Sequence, residues 1–340
     1  MSRFATPAAF LAALRGLPQA DMAARSSALA RQAVLTKPPK SLGRLEDIAV
    51  FMAGWQGCDR PRIDRGRAIV FAGNHGIVAR GISAFPASVT AQMVANFENG
   101  GAAINALSIV AGLDLRVVAL DLDRPTADFT VEPALSEQDC LTAINAGAAA
   151  VAGAPDLPDL VVLGEMGIGN STTAAALCAA SFGGSAHEWV GPCTGVDDEG
   201  VARKIATVEA GLALHRDRLT SPFEILRRLG GRELAAIAGA VVAARQMGVP
   251  VMLDGFICCA AIAPLSAACP DILDHCLAGH VSAEPGHRRL LAALRLEPLL
   301  SLGMRLGEGS GAAVATLLVR AALAAHDGMA TFAEAGVSET

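Results

Sequence analysis

The stretch Leu160-Val161-Val162-Leu163-Gly164-Glu165-Met166-Gly167-Ile168-Gly169-Asn170-Ser171-Thr172-Thr173 decides the fold class. A short charge-free apolar run bounded by glycine reads as a strand buried on both faces. The glycines mark a tight turn, and Asn170, Ser171 or Thr172 is suited to cap the alanine-rich helix that follows. Working outward, similar runs recur at Ala68–Ala72, Leu115–Leu120, Val249–Leu253 and, more weakly, Leu277–Val281. Alanine-rich stretches of helical length separate most of them. That alternation predicts an α/β fold, with a doubly wound, mostly parallel sheet and helices on both faces. In such sheets ligands bind beyond the carboxyl ends of the strands, which is where several of these runs meet glycine or a polar residue.

The two ends of the chain read differently. Residues 1–55 look helical, broken at Pro38-Pro39, and 309–328 look like one further helix. The expected organisation is a large α/β domain over 56–308, carrying the active site, and a small helical lobe from 1–55 plus 309–340. Of the 340 residues, 52% are hydrophobic and 18% charged, enough to bury a core. Tyrosine is absent, and small side chains suit helices packed closely on a sheet. With a net charge of −6 and 4% aromatics, neither a basic stripe nor a stacking platform exists, which argues against nucleic acid as partner. The eight cysteines form no CxxC pair, so no metal or cluster site is implied; they read as small buried hydrophobes in a reducing cytoplasm. Phe4–Leu17 is expected to be an amphipathic helix, not a signal peptide, and no membrane span is apparent.

Five segments carry candidate chemistry. The Gly167–Thr173 turn reads either as a phosphate cradle, with free backbone N–H groups and a helix dipole, or as a ligand-free strand-to-helix turn. Its spacing is neither that of a Walker loop nor that of a dinucleotide fingerprint. Met304-Arg305-Leu306-Gly307-Glu308-Gly309-Ser310-Gly311 sets one carboxylate among glycines. Glu308 is either a general base whose pKa burial has raised, or a carboxylate stabilised by a helix dipole. Ala72-Gly73-Asn74-His75-Gly76 follows a strand, and His75 is read as a structural hydrogen-bonding residue. Phe85 and Pro86 beyond it suit the wall of a flat aromatic pocket. The acidic start of Asp197-Asp198-Glu199 fits a helix dipole, whereas Lys204 is a point charge suited to a phosphate or carboxylate. Finally, Ser282 in His280-Val281-Ser282-Ala283-Glu284-Pro285-Gly286-His287 is either a helix cap or an anion contact.

Taken together, several segments resemble one family. They are Thr36-Lys37-Pro38-Pro39 with Ser41–Glu46, His75 through Phe97, Gly164–Asn170, Thr194-Gly195-Val196-Asp197, Ser282–His287 and Arg305–Gly311. In this order the chain resembles the nicotinate-nucleotide–dimethylbenzimidazole phosphoribosyltransferases of cobalamin assembly. The resemblance implies a homodimeric cytoplasmic enzyme that needs no cofactor or metal. Its substrates would be nicotinate mononucleotide and 5,6-dimethylbenzimidazole. Glu308 would be the catalytic base, with Glu165 and Lys204 also in the active site. The phosphate would be held by Gly167, Gly169, Asn170, Ser171 and Thr172, with Ser282 and Gly286. The benzimidazole would be lined by Phe85, Gln92, Met93 and Leu306. Asn74, Lys40, Pro192-Cys193 and Phe85 depart from the family pattern and bear on the base accepted, not on the reaction. Competing readings are a transferase for another base, a non-catalytic phosphoribosyl-ligand sensor on the same fold and, disfavoured by its spacing, a dinucleotide dehydrogenase.

Overall fold

Six strands hydrogen-bond in parallel in the computed structural model, which describes residues 3–153, 156–193 and 195–338. They are β1 (Gly66–Ala72), β2 (Leu113–Ala119), β3 (Leu160–Met166), β4 (Val251–Leu253), β5 (Cys276–His280) and β6 (Pro298–Leu300). Their order across the sheet is β2-β1-β3-β4-β5-β6. The α/β, doubly wound class expected from the strand runs is therefore the fold observed. Every residue of β1 is buried, as is β3 up to Glu165, because helices cover both faces. β6 escaped the sequence reading: it is a three-residue, half-buried edge strand, and it starts on proline, which cannot donate to a ladder.

Side-chain alternation in β1 and β3 builds two cores. Ile69, Phe71, Val161 and Leu163 face helices Glu137–Ala152, Asn170–Phe182 and Arg232–Gln246. Ala68, Val70, Leu160 and Val162 face helices Arg44–Gln56, Ala103–Ala111 and Ser310–Gly328. The abundance of small residues has a structural use here. Helices Glu137–Ala152 and Arg232–Gln246 approach so closely that a β-carbon at Gly239 would lie 2.7 Å from the Ile144 carbonyl carbon.

The chain ends meet each other. Leu35 and Thr331 form an antiparallel bridge, and Arg31 donates to the carbonyls of His326, Asp327 and Met329 at 2.8, 2.8 and 3.2 Å. Helix Ser310–Gly328 also lies on the sheet, burying Ala312, Ala315 and Val319. The first residues go elsewhere. Only Pro7–Ala12 of the expected Phe4–Leu17 helix is helical, and Phe4, Phe10 and Leu14 join the core on the opposite face of the sheet. None of the described helices is long and apolar enough to cross a membrane. All eight cysteines are free, and five of them are buried.

Candidate active site

From β1 the chain passes to β2 on one side, then returns to β3 on the other. Such a switch point leaves a crevice at the carboxyl ends of the strands. A cleft of about 830 Å³, counting its part open to solvent, lies here. Its walls include Glu165, the turn Gly167–Ser171, Lys204, Ser282, Glu284 and Leu306.

The turn is built by two glycines. Gly169 has φ +91°, and a β-carbon on Gly167 would lie 2.7 Å from the Gly73 carbonyl oxygen. Thr90 holds the turn from the side, its Oγ1 accepting from the Ile168 N–H at 3.1 Å. The helix that follows, Asn170–Phe182, has no side-chain cap. Its N-terminus ends at the cleft, with the Asn170 and Thr172 N–H groups turned back onto the Gly167 and Gly169 carbonyls, each at 3.1 Å. Of the predicted cradle, Gly167, Gly169, Asn170 and Ser171 line the cleft, and Thr172 does not: its side chain is fully buried inside the helix packing.

Glu165 is the sixth residue of β3 and is 6% exposed. Asn170 Nδ2 donates to its Oε2. Burial, reinforced by the carboxylates of Asp254, Glu233 and Glu308, outweighs that hydrogen bond and pushes the Glu165 pKa up to about 8. Near neutrality this group therefore holds its proton.

Opposite it runs the loop Gly307-Glu308-Gly309. Both glycines have φ +88°, and Glu308 itself sits at φ +65°, a conformation rarely adopted by a residue with a side chain. The loop can lie against β3 because residue 164 is glycine: a β-carbon there would be 2.5 Å from the Glu308 carbonyl carbon. The Glu308 N–H donates to the Glu165 carbonyl at 3.2 Å. Its carboxylate is buried, and Oε2 has no hydrogen-bond partner among the described residues. Burial raises its pKa, the N–H of Ile104 opposes this, and Asp254 adds to the rise. Glu308 is not itself in the cleft wall, which ends with Arg305, Leu306 and Gly307.

Lys204 lies in the wall, almost fully buried, and donates from Nζ to the Gly191 carbonyl at 2.6 Å. Burial lowers its pKa, with Cys193 and Glu284 opposing the shift. Arg305 Nη1 donates to the Cys193 carbonyl at 2.7 Å, so two cations hold the loop from Gly191 against the cleft. Thr194 of that loop lies outside the described residues. Ser282 lines the cleft, and its Oγ is 3.0 Å from His287 Nδ1. Gly286 does not line it: a β-carbon there would press on the Trp189 carbonyl oxygen at 2.8 Å, so this glycine serves helix packing.

The expected base-binding residues separate. Leu306 is in the wall. Phe85, 46% exposed, and the exposed Gln92 are not, while Met93 packs toward the core that holds helix Ser310–Gly328. From that segment the cleft instead receives Ile82 and Ser83. His75 is buried below the site, its Nε2 2.7 Å from Glu233 Oε1 and its Nδ1 3.3 Å from Thr173 Oγ1. That is the structural placement read from the sequence. Reading the sequence missed Thr90, Glu233 and Asp254. Only Asp254 carried a local signal, a carboxylate directly after a predicted strand and before glycine. Among the described residues, no His, Cys, Asp and Glu side chains are grouped to hold a metal ion.

A six-stranded parallel sheet with a glycine turn and buried carboxylates at its switch point is an architecture for nucleotide chemistry. A family model described as phosphoribosyltransferase matches residues 17–337, and this chain is a phosphoribosyltransferase. The nicotinate-nucleotide–dimethylbenzimidazole phosphoribosyltransferase of Novosphingobium aromaticivorans is 68% identical over 339 residues, covering 100% of this chain and 99% of the relative. The enzyme of that name from Mesorhizobium japonicum is 58% identical over 328 residues, covering 96% and 97%. The crystal structure of the Thermus thermophilus enzyme superposes with a TM-score of 0.87 at 40% identity, over 94% of this chain and 100% of that one. The chain belongs to the nicotinate-nucleotide–dimethylbenzimidazole phosphoribosyltransferase family.

Proposed function

We propose that this enzyme transfers the phosphoribosyl group of nicotinate mononucleotide to 5,6-dimethylbenzimidazole, giving α-ribazole 5′-phosphate and nicotinate for cobalamin assembly. The names of its relatives supply the substrates. One observation carries the chemistry: Glu308 keeps a buried carboxylate oxygen without a hydrogen-bond partner among the described residues. A desolvated, unpaired acceptor with a raised pKa is suited to take a proton.

The uncapped turn Gly167–Ser171, with Ser282 across the cleft, anchors the 5′-phosphate and so fixes C1′. Glu308 accepts the N–H proton of dimethylbenzimidazole. The other ring nitrogen attacks C1′ as the C1′–nitrogen bond to nicotinate breaks. The bonding pair leaves with the pyridinium nitrogen, which is thereby neutralised and needs no acid. Attack opposite the leaving group inverts C1′ and gives the α-linkage. Glu165 holds its proton beside the loop, and Lys204 keeps the Gly191 segment in place. A homodimer belongs to the same reading, supported by the exposed neighbours Ile109 and Val110 on one helix; light scattering tests it. The enzyme works in the cytoplasm on this reading.

The test is incubation with both substrates, with products read by chromatography and mass spectrometry. Wild type is expected to form α-ribazole phosphate, and Glu308→Gln to lose at least about 100-fold in rate. No product from wild type overturns the substrate pair; equal rates overturn the base. Because burial raises the Glu308 pKa, kcat falls with decreasing pH from above the ordinary carboxylate range.

A further inference from the structure

Asp254 directly follows β4, with 1% of its surface exposed. It is a buried carboxylate for which the reaction above has no use. Its Oδ2 accepts from the Gly309 N–H at 3.2 Å and its Oδ1 from the Ala312 N–H at 2.8 Å. Those donors belong to the N-terminus of helix Ser310–Gly328, whose own N-cap residue, Gly309, has no side chain with which to cap it. A distant strand end thus supplies the cap. The two bonds fall one and four residues beyond Glu308, which occupies a left-handed conformation that local sequence does not favour. Nearby, His280 Nε2 is 3.5 Å from Asp254 Oδ1, and a β-carbon on Gly311 would overlap the His280 ring, so the carboxylate is enclosed from β5 as well.

We propose that Asp254 is the positioning residue of this active site: by capping the helix after Glu308 it holds that carboxylate in its strained turn and aims it at the incoming base. The inference rests on Glu308 being the base. The cap also places a negative charge near Glu308, whose other carboxyl neighbour, Glu165 on β3, keeps its proton near neutrality; the N–H of Ile104 on helix Ala103–Ala111 acts in the opposite sense. Removing the Asp254 charge therefore makes Glu308 easier to ionise.

Asp254→Asn, Glu308→Gln and the double variant of the full chain are assayed with both substrates across pH. Asp254→Asn should lower kcat by about 10- to 100-fold, the loss that follows from a misplaced catalytic group. KM for nicotinate mononucleotide should stay within about twofold, because the phosphate turn is untouched. The acid limb of kcat should move to lower pH, which a merely structural role would not produce. In the Glu308→Gln background Asp254→Asn should add no further loss. A wild-type kcat and acid limb in Asp254→Asn, or a full additional loss in the double variant, overturns the proposal. If Glu308→Gln itself keeps the rate, the base assignment fails instead. Should Asp254→Asn not fold, Asp254→Ser, smaller and with one acceptor, is read by the same limb and the same cycle.

Discussion

Burial makes Glu165 a proton holder, and its pKa of about 8 links the site to stability. In the unfolded chain its carboxyl ionises near the ordinary value of 4.5. Below that pH both states are protonated and the full stability is present. As pH rises toward 8 the unfolded chain loses a proton that the folded one keeps, so stability falls. One pKa unit corresponds to about 1.4 kcal/mol, which makes the loss a few kcal/mol. Glu165→Gln removes that dependence. Denaturation midpoints should show the variant gaining on wild type from pH 5 to pH 8, and parallel curves would exclude the assignment. From the sequence Glu165 entered the active site only through the family resemblance. Its neighbours Asp254 and Glu233 come from distant segments, so no local window carried the cause of its shift.

At the scale of elements, the Glu308 loop is held by contacts that depend on missing side chains. Gly164→Ala would drive a β-carbon into the Glu308 backbone, at 2.5 Å from its carbonyl carbon. Overpacking of this kind costs about 1–3 kcal/mol, and displacing the loop should cost about 100-fold in kcat. A Gly164→Ala enzyme with wild-type kcat would separate the loop from catalysis. The buried hydrogen bond between His75 and Glu233, beneath the Gly167–Ser171 turn, makes a second case. Glu233→Ala leaves the buried His75 Nε2 without its hydrogen-bond partner, and an unsatisfied buried polar group costs about 1–3 kcal/mol. A thermal melt should show it destabilised. The Gly167–Thr173 turn was legible because glycines between a strand and a helix are a local signal, but the expected side-chain cap from Asn170, Ser171 or Thr172 does not form: Gly169 is the N-cap and the Asn170 amide turns to Glu165. The outward placement of Phe85 and Gln92 was not legible, since which face of the segment turns to the cleft depends on how it packs.

For the whole molecule, the switch between β1 and β3 brings chain segments more than two hundred residues apart to one cleft. The ends of the chain close on each other outside it. Arg31 gives three hydrogen bonds to the carbonyls that end helix Ser310–Gly328. Arg31→Ala should lower Tm by a few degrees, consistent with a loss of about 2 kcal/mol, while kcat changes little. A large kcat loss at unchanged Tm would show that the joined ends tune the site.

Sequence by itself determined the sheet class, because continuous apolar runs, glycine punctuation and alanine-rich stretches of helical length between them are local consequences of burial on both faces. It also marked the glycine turn and the Arg305–Gly311 motif as places of chemistry. Only the tertiary structure decided the edge strand β6, the packing of Thr172 and Gly286, and the capping by Asp254 of the helix that follows Glu308. The physical reason is range: periodicity and turn preference act within a few residues. Desolvation, carboxylate repulsion and a cap supplied from another strand exist only after the chain has closed on itself.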